Sequence, residues 1–163
     1  MKITIFTDGS SRGNPGPGGW GAIIINENNV EEIGGREDNT TNNRMELKAA
    51  IEALREIPVD AEVTINSDSE YVVKGMKEWI NGWQRNGWKN SQKKEVINRD
   101  LWENLLEATR GQKIVWKHIR GHSDNGLNNR CDEIATSFAD NMPTNLYKGP
   151  ISGYFIKLDH KPH

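Results

Sequence analysis

The chain has 163 residues, six tryptophans and 34% hydrophobic content, which suits one domain with a substantial core and leaves little room for a second. No apolar run approaches the roughly 18 residues of a membrane span, and Met1 to Thr7 reads as a strand without a signal peptide's basic start. Cys131 is the only cysteine, which excludes an intrachain disulfide and argues against a cysteine-based zinc site, so a soluble protein of a reducing, cytoplasmic compartment is expected.

The net charge of −2 is the sum of two unlike parts. Residues 74–99 carry seven Lys and Arg against two Glu, a local +5 that leaves −7 for the remainder. A basic segment set against an acidic one is what separate phosphate-holding and cation-holding regions would produce; a solvated, charged helix pair would produce it too.

In chain order, Lys2 to Thr7 alternates as a strand, a Gly/Pro-rich turn follows, and Trp20 to Ile25 is a second strand rich in β-branched residues. Val30 to Arg36 is a weaker third strand that completes an antiparallel meander. Leu47, Ala50, Ile51 and Leu54 mark one face of a helix ending before Pro58, and Ala61 to Asn66 alternates as a fourth strand. A second helix runs from Glu70 through Val72, Val73, Met76, Trp79 and Ile80 until Gly82 interrupts it. A third spans about Asn98 to Thr109, a fifth strand covers Ile114 to Ile119, and Leu127 to Ala139 forms a last helix. This order predicts an α/β fold: a mixed five-stranded sheet, three antiparallel N-terminal strands plus two parallel strands, flanked by helices.

Four carboxylates stand out. Asp8 ends the first predicted strand and Asp68 the fourth, where open α/β sheets form ligand crevices. Glu46 and Asp132 lie early in two helices, beside the apolar stripe. Gathered together, four acids repel one another unless a cation joins them, and hard oxygen ligands match Mg²⁺, with Mn²⁺ as a substitute. Each also has a plainer reading: Asn43 with Glu46 and Ser67 with Glu70 have capping-box spacing, and Asp68 has the character of an N-cap. The string Gly16-Pro17-Gly18-Gly19-Trp20-Gly21 matches a dinucleotide-binding pattern by letter, but it leads into a strand where such a site must open a helix, so it reads as a hairpin connection.

Thr7-Asp8-Gly9-Ser10, Gly13-Asn14-Pro15-Gly16-Pro17-Gly18-Gly19, Thr40-Thr41-Asn42-Asn43-Arg44-Met45-Glu46, Ser67-Asp68-Ser69, Arg120-Gly121-His122 and Asn128-Asn129-Arg130-Cys131-Asp132 together resemble bacterial type 1 ribonuclease H, from residue 1 to about 142. The resemblance implies a ribonuclease H-like fold and hydrolysis of the RNA strand of RNA/DNA hybrids by two metal ions. Asp8 and Asp68 would be shared ligands, Glu46 and Asp132 would hold one ion each, and His122 would be a mobile proton carrier. Gly9, Asn14, Asn42 and Glu70 match positions facing the minor groove and RNA. Glu70 departs from a position that is often Gln, which implies altered rather than lost contacts. Thr41 and Asn98, supported by Arg44, match a pocket for a DNA phosphate.

Trp79 to Lys94 resembles the family's basic protrusion, with Trp79, Arg85 and Lys89 as candidate contacts. Gln84-Arg85-Asn86 stands where relatives often have consecutive basic residues, which implies a weaker grip. Trp88 and Trp102 are read as packing residues. The expected organisation is a catalytic domain over residues 1–142 and a tail over 143–163, partly packed on it because Tyr147, Tyr154, Phe155, Ile156 and Leu158 make it too apolar for a solvated linker. The expected state is a free-standing monomer with no membrane contact. Two alternatives stay open: a binding module without turnover, and a DNA-acting nuclease of the same superfold.

Overall fold

The computed structural model describes residues 1–120 and 125–158. A mixed sheet in the order β5-β4-β1-β2-β3-β6 forms the centre. β1 (Lys2–Ser11), β2 (Gly16–Ile25) and β3 (Asn29–Thr40) make the antiparallel meander, and β4 (Glu62–Ser67) and β5 (Lys113–His118) extend it in parallel from β1. The sheet has six strands where the sequence predicts five. The addition, β6 (Lys148–Pro150), pairs antiparallel with β3; three residues including Gly and Pro offer no alternation to read.

Alternation along β1 sends Ile3 and Ile5 to one face and Phe6 to the other, so the sheet is covered twice. Helix α1 (Asn42–Arg55) lays Leu47, Ile51 and Leu54 on the first face, joined by α2 (Glu70–Lys74) and α4 (Arg99–Ala108), with Trp102 and Leu105 wholly buried. Each such large side chain contributes roughly 1.5–3 kcal/mol on burial. Helix α5 (Gly126–Ala139) covers the second face, with Cys131 beside Phe6 and Ile23. A Cβ on Gly21 would lie 2.8 Å from the Cys131 carbonyl and from Ile134, so the helix approaches this closely only over glycine. Gly16 to Gly21 therefore belongs to β2 itself and is not a connection.

The second predicted helix does not stop at Gly82. It continues from α2 through a π-helical turn at Gly75–Trp79 into α3 (Ile80–Arg85), and Trp83 packs on the core beyond Gly82, so tertiary packing overrides the weak propensity of one glycine. A Cβ on Gly75 would collide with the Trp102 ring. Trp88 and Trp102 are buried. No helix among the described residues is long and apolar enough to cross a membrane.

Candidate active site

β4 ends its pairing with β1 at Ser67 opposite Thr7, so Asp8 lies beside the notch where β4 gives way to the turn carrying Asp68. Asp8 does not end its strand, which runs on to Ser11. Glu46 enters the notch from α1. Carboxylate oxygens of Asp8, Glu46 and Asp68 lie within 4.8 Å of one another. Glu46 is not part of a capping box: Thr41 caps α1, accepting from the Arg44 amide at 3.2 Å, while Glu46 Oε1 accepts from the Gly9 amide at 2.5 Å. Ser69, not Asp68 or Ser67, caps α2. Gly9 is required sterically, because a Cβ there would strike the Met45–Glu46 backbone. The plain capping readings of these acids fail on geometry.

Asp8 and Glu46 are 5% and 7% exposed, and among the described residues neither forms an ion pair. Burial pushes Asp8 up to about 7; the charges of Asp68 and Asp132 add to the rise, and the hydrogen bond with Glu46 opposes it. Burial also raises Glu46 well above the usual carboxylate range, helped by the hydrogen bond with Asp8 and by the Asp8 charge. Asp68 is raised by burial and by Asp132, and is eased by a hydrogen bond from Asn128. Glu46 Oε2 is buried without any partner. A crowded set of hard oxygen donors, one of them orphaned and none of them in an ion pair among the described residues, fits a divalent metal ion.

Asp132 stands close enough for its charge to act on Asp8 and Asp68, but it is exposed and lies outside the tight trio. His122 lies outside the described residues. Asn128 received no role from sequence reasoning, yet it is buried, one helical turn before Asp132, and reaches Asp68. The i, i+4 spacing with Asp132 was the available signal.

Asn14, Thr41, Asn42 and Asn98 come together around a cavity of about 340 Å³. Asn42 Oδ1 accepts from the Ser11 amide at 2.7 Å. Asn98 adopts the left-handed conformation at the start of α4 but makes no capping bond with its side chain. Its Oδ1 accepts from Arg44 at 3.2 Å and its Nδ2 donates to the Tyr71 hydroxyl at 3.1 Å. Arg44 also grips Asp100 with two bonds. Tyr71, which accepts from Trp102 Nε1 as well, is a second residue sequence reasoning missed. Glu70, Trp79, Arg85 and Lys89 form no part of this cluster; they are exposed along α2, α3 and the segment after it. A cavity of about 630 Å³ between the C-terminal residues, the start of α5 and β1–β2 is lined by none of the four acids.

Two buried carboxylates and a half-buried third, at the centre of a mixed sheet in this strand order, define a metal-dependent hydrolase of the ribonuclease H-like class. The RNase H family model matches residues 1–140, and the chain belongs to that family. It is 52% identical over 135 residues to a ribonuclease H of Geotalea uraniireducens (strain Rf4), covering 83% of this chain and 92% of that protein. Among solved structures, LC9-RNase H1, described as a type 1 RNase H with the type 2 active-site motif, superposes with a TM-score of 0.79 at 28% identity, covering 91% of this chain and 77% of that one. LC11-RNase H1, solved in complex with RNA/DNA hybrid, superposes with a TM-score of 0.66 at 31% identity, covering 85% and 97%.

Proposed function

We propose that this protein is a ribonuclease H that hydrolyses the RNA strand of RNA/DNA hybrids, with Mg²⁺, or Mn²⁺ in its place, held by Asp8, Glu46, Asp68 and Asp132. The observation that carries the reading is the close trio of buried Asp8 and Glu46 with half-buried Asp68, which form no ion pair among the described residues, in a chain of this family. The four carboxylates would hold two divalent ions, whose Lewis acidity would lower the pKa of an attacking water and offset charge on the departing 3′ oxygen, so that 5′-phosphate and 3′-hydroxyl ends are expected.

The protein's own groups do the positioning. The Gly9 amide fixes Glu46, and Asn128 orients Asp68. Gly9, Asn14, Asn42 and Glu70 face the RNA and its 2′-hydroxyls. Thr41, Asn98 and Arg44 hold a phosphate of the DNA strand, and Trp79, Arg85 and Lys89 grip the duplex beyond it. His122 moves a proton or assists product departure. The protein works as a cytoplasmic monomer.

The test is cleavage of labelled hybrid, duplex DNA, duplex RNA and single strands with Mg²⁺, for the protein and for Asp8→Asn. RNA-strand cutting of the hybrid alone, abolished by Asp8→Asn, is expected. Cutting of DNA with the hybrid left intact would overturn the reading.

A further inference from the structure

Residues 144–158 lie beyond the stretch the family model matches, yet they complete a charge network inside the protein. Glu32 on β3 and Arg130 on α5 form a two-pronged pair: Arg130 Nε donates to Glu32 Oε2 at 2.8 Å and Nη2 to Oε1 at 2.9 Å. The Glu32 side chain is 0% exposed and that of Arg130 7%. A buried pair of this kind holds only if its remaining lone pairs and protons are satisfied. The C-terminal segment satisfies them. The Tyr154 hydroxyl donates to Glu32 Oε2 at 2.6 Å, the Tyr147 amide donates to Oε1 at 2.9 Å, and Arg130 Nη2 donates to the Asn145 carbonyl at 2.7 Å. The Phe155 ring centre lies 5.0 Å from the guanidinium carbon, and β6 docks on β3 alongside.

The same helix carries two residues of the acid site. Asn128 reaches Asp68, and Asp132 follows one turn later, near Asp8 and Asp68 but outside the trio that already lies within 4.8 Å. How far Asp132 stands from the other acids is therefore set by where α5 rests on the sheet. On the second face, Arg130 is the helix's buried charged anchor.

We propose that residues 144–158 form a clamp that acts through the Glu32–Arg130 pair to fix α5, holding Asp132 at the acid cluster so that it contributes to cation binding. Arg130, Glu32 and Tyr154 are then positioning residues for the metal site, supplied partly by a segment the family match does not include. The inference rests on the reading of the acids as cation ligands.

The test uses the full chain and Mn²⁺ as the probe, with binding followed by calorimetry well below the melting temperature. Tyr154→Phe keeps the ring and deletes one hydrogen bond to Glu32; Glu32→Gln removes the buried charge. Each is made with Asp132 present and in an Asp132→Asn background. Losing such supporting contacts weakens metal binding by roughly tenfold, so that loss is expected for Glu32→Gln and a few-fold loss for Tyr154→Phe, with Asp132 present. In the Asp132→Asn background neither change should matter. Should Glu32→Gln fail to fold, Tyr154→Phe carries the test alone. Unchanged affinity with Asp132 present, or equal losses in both backgrounds, would overturn the clamp while leaving the metal site intact. Absence of Mn²⁺ binding by the unaltered protein, with no hybrid cleavage, would overturn the functional reading and the clamp with it.

Discussion

Glu46 on α1 and Glu32 on β3 are both buried glutamates, and they are solved in opposite ways. Burial acts to raise Glu32 too, but hydrogen bonds from Arg130, Tyr154 and the Tyr147 amide, with the Arg130 charge, bring it below its ordinary value. Glu46 has the Gly9 amide, a carboxylic neighbour and one oxygen with nothing at all. Where the chain supplies the cation, a buried carboxylate is architecture. Where it withholds one, the site is unfinished until a cation arrives from solution, and the strain of burying the charge becomes affinity for that cation.

The strongest way to break this contrast is to exchange its terms. Asp8→Asn removes a direct ligand from the unfinished site. Loss of a mere supporting group around a metal costs about 10–100-fold, so hybrid cleavage should fall by on the order of a thousandfold or more, read from initial rates with Mg²⁺. Glu32→Gln does the reverse, taking from Arg130 its buried two-pronged partner and leaving only the more exposed Glu133 to balance it. That should cost about 3–5 kcal/mol of stability in urea unfolding. If Glu32→Gln unfolds no more easily than the unaltered protein, the finished site is not holding the fold together.

The two sites should also tilt with pH in opposite directions. Asp8 in the folded protein binds its proton up to about 7, against 3.8 for an ordinary Asp, so between those values the folded state holds more protons than the unfolded one. Metal-free stability therefore falls as pH rises through that window, by on the order of 2 kcal/mol once the coupled, partly screened cluster is discounted from the full shift. In EDTA, Asp8→Asn should be more stable than the unaltered protein at pH 8 and equal to it near pH 4. Excess Mg²⁺ should reverse the order at pH 8, because only the intact site gains binding energy. Glu32, lowered from 4.5, contributes stability that is present above that value and is lost as pH falls through its folded value. A metal-free Asp8→Asn no more stable at pH 8 than at pH 4, relative to the unaltered protein, would mean the acids are not strained.

The unfinished site was far more legible in the sequence than the finished one. Alternation revealed five strands, and the motif blocks singled out Asp8, Glu46 and Asp68 before any contact was known. No local pattern announces that Glu32 will meet Arg130, because they are 98 residues apart and only the packed β3–α5 interface joins them. β6 was hidden for a similar reason, its strand character existing only against β3. Gly82 was read as a break because propensity is local, while Trp83 beyond it answers to the core. Asn43 and Ser67 matched cap spacing by letter, but Thr41 and Ser69 take those places, since the backbone decides which hydroxyl faces the free amides. The role of Tyr71 between Asn98 and Trp102 depends on three elements meeting, which spacing does not encode.

Arg85 sharpens the contrast from the outside, since it is neither half of a buried pair nor part of the acid cluster. It is exposed at the end of α3, and a charge in that position has water as its partner in both folded and unfolded states. Arg85→Ala should therefore shift stability by no more than about 0.5 kcal/mol. Its effect belongs to binding: each phosphate contact releases condensed counterion, so the slope of log affinity for hybrid against log salt should become shallower by about one unit. The measurement is best made on the Asp8→Asn protein in Ca²⁺ or EDTA, where the hybrid survives. An unchanged slope would place the +5 of residues 74–99 among solvated surface charges and move the DNA grip to the cluster of Thr41, Arg44 and Asn98 alone.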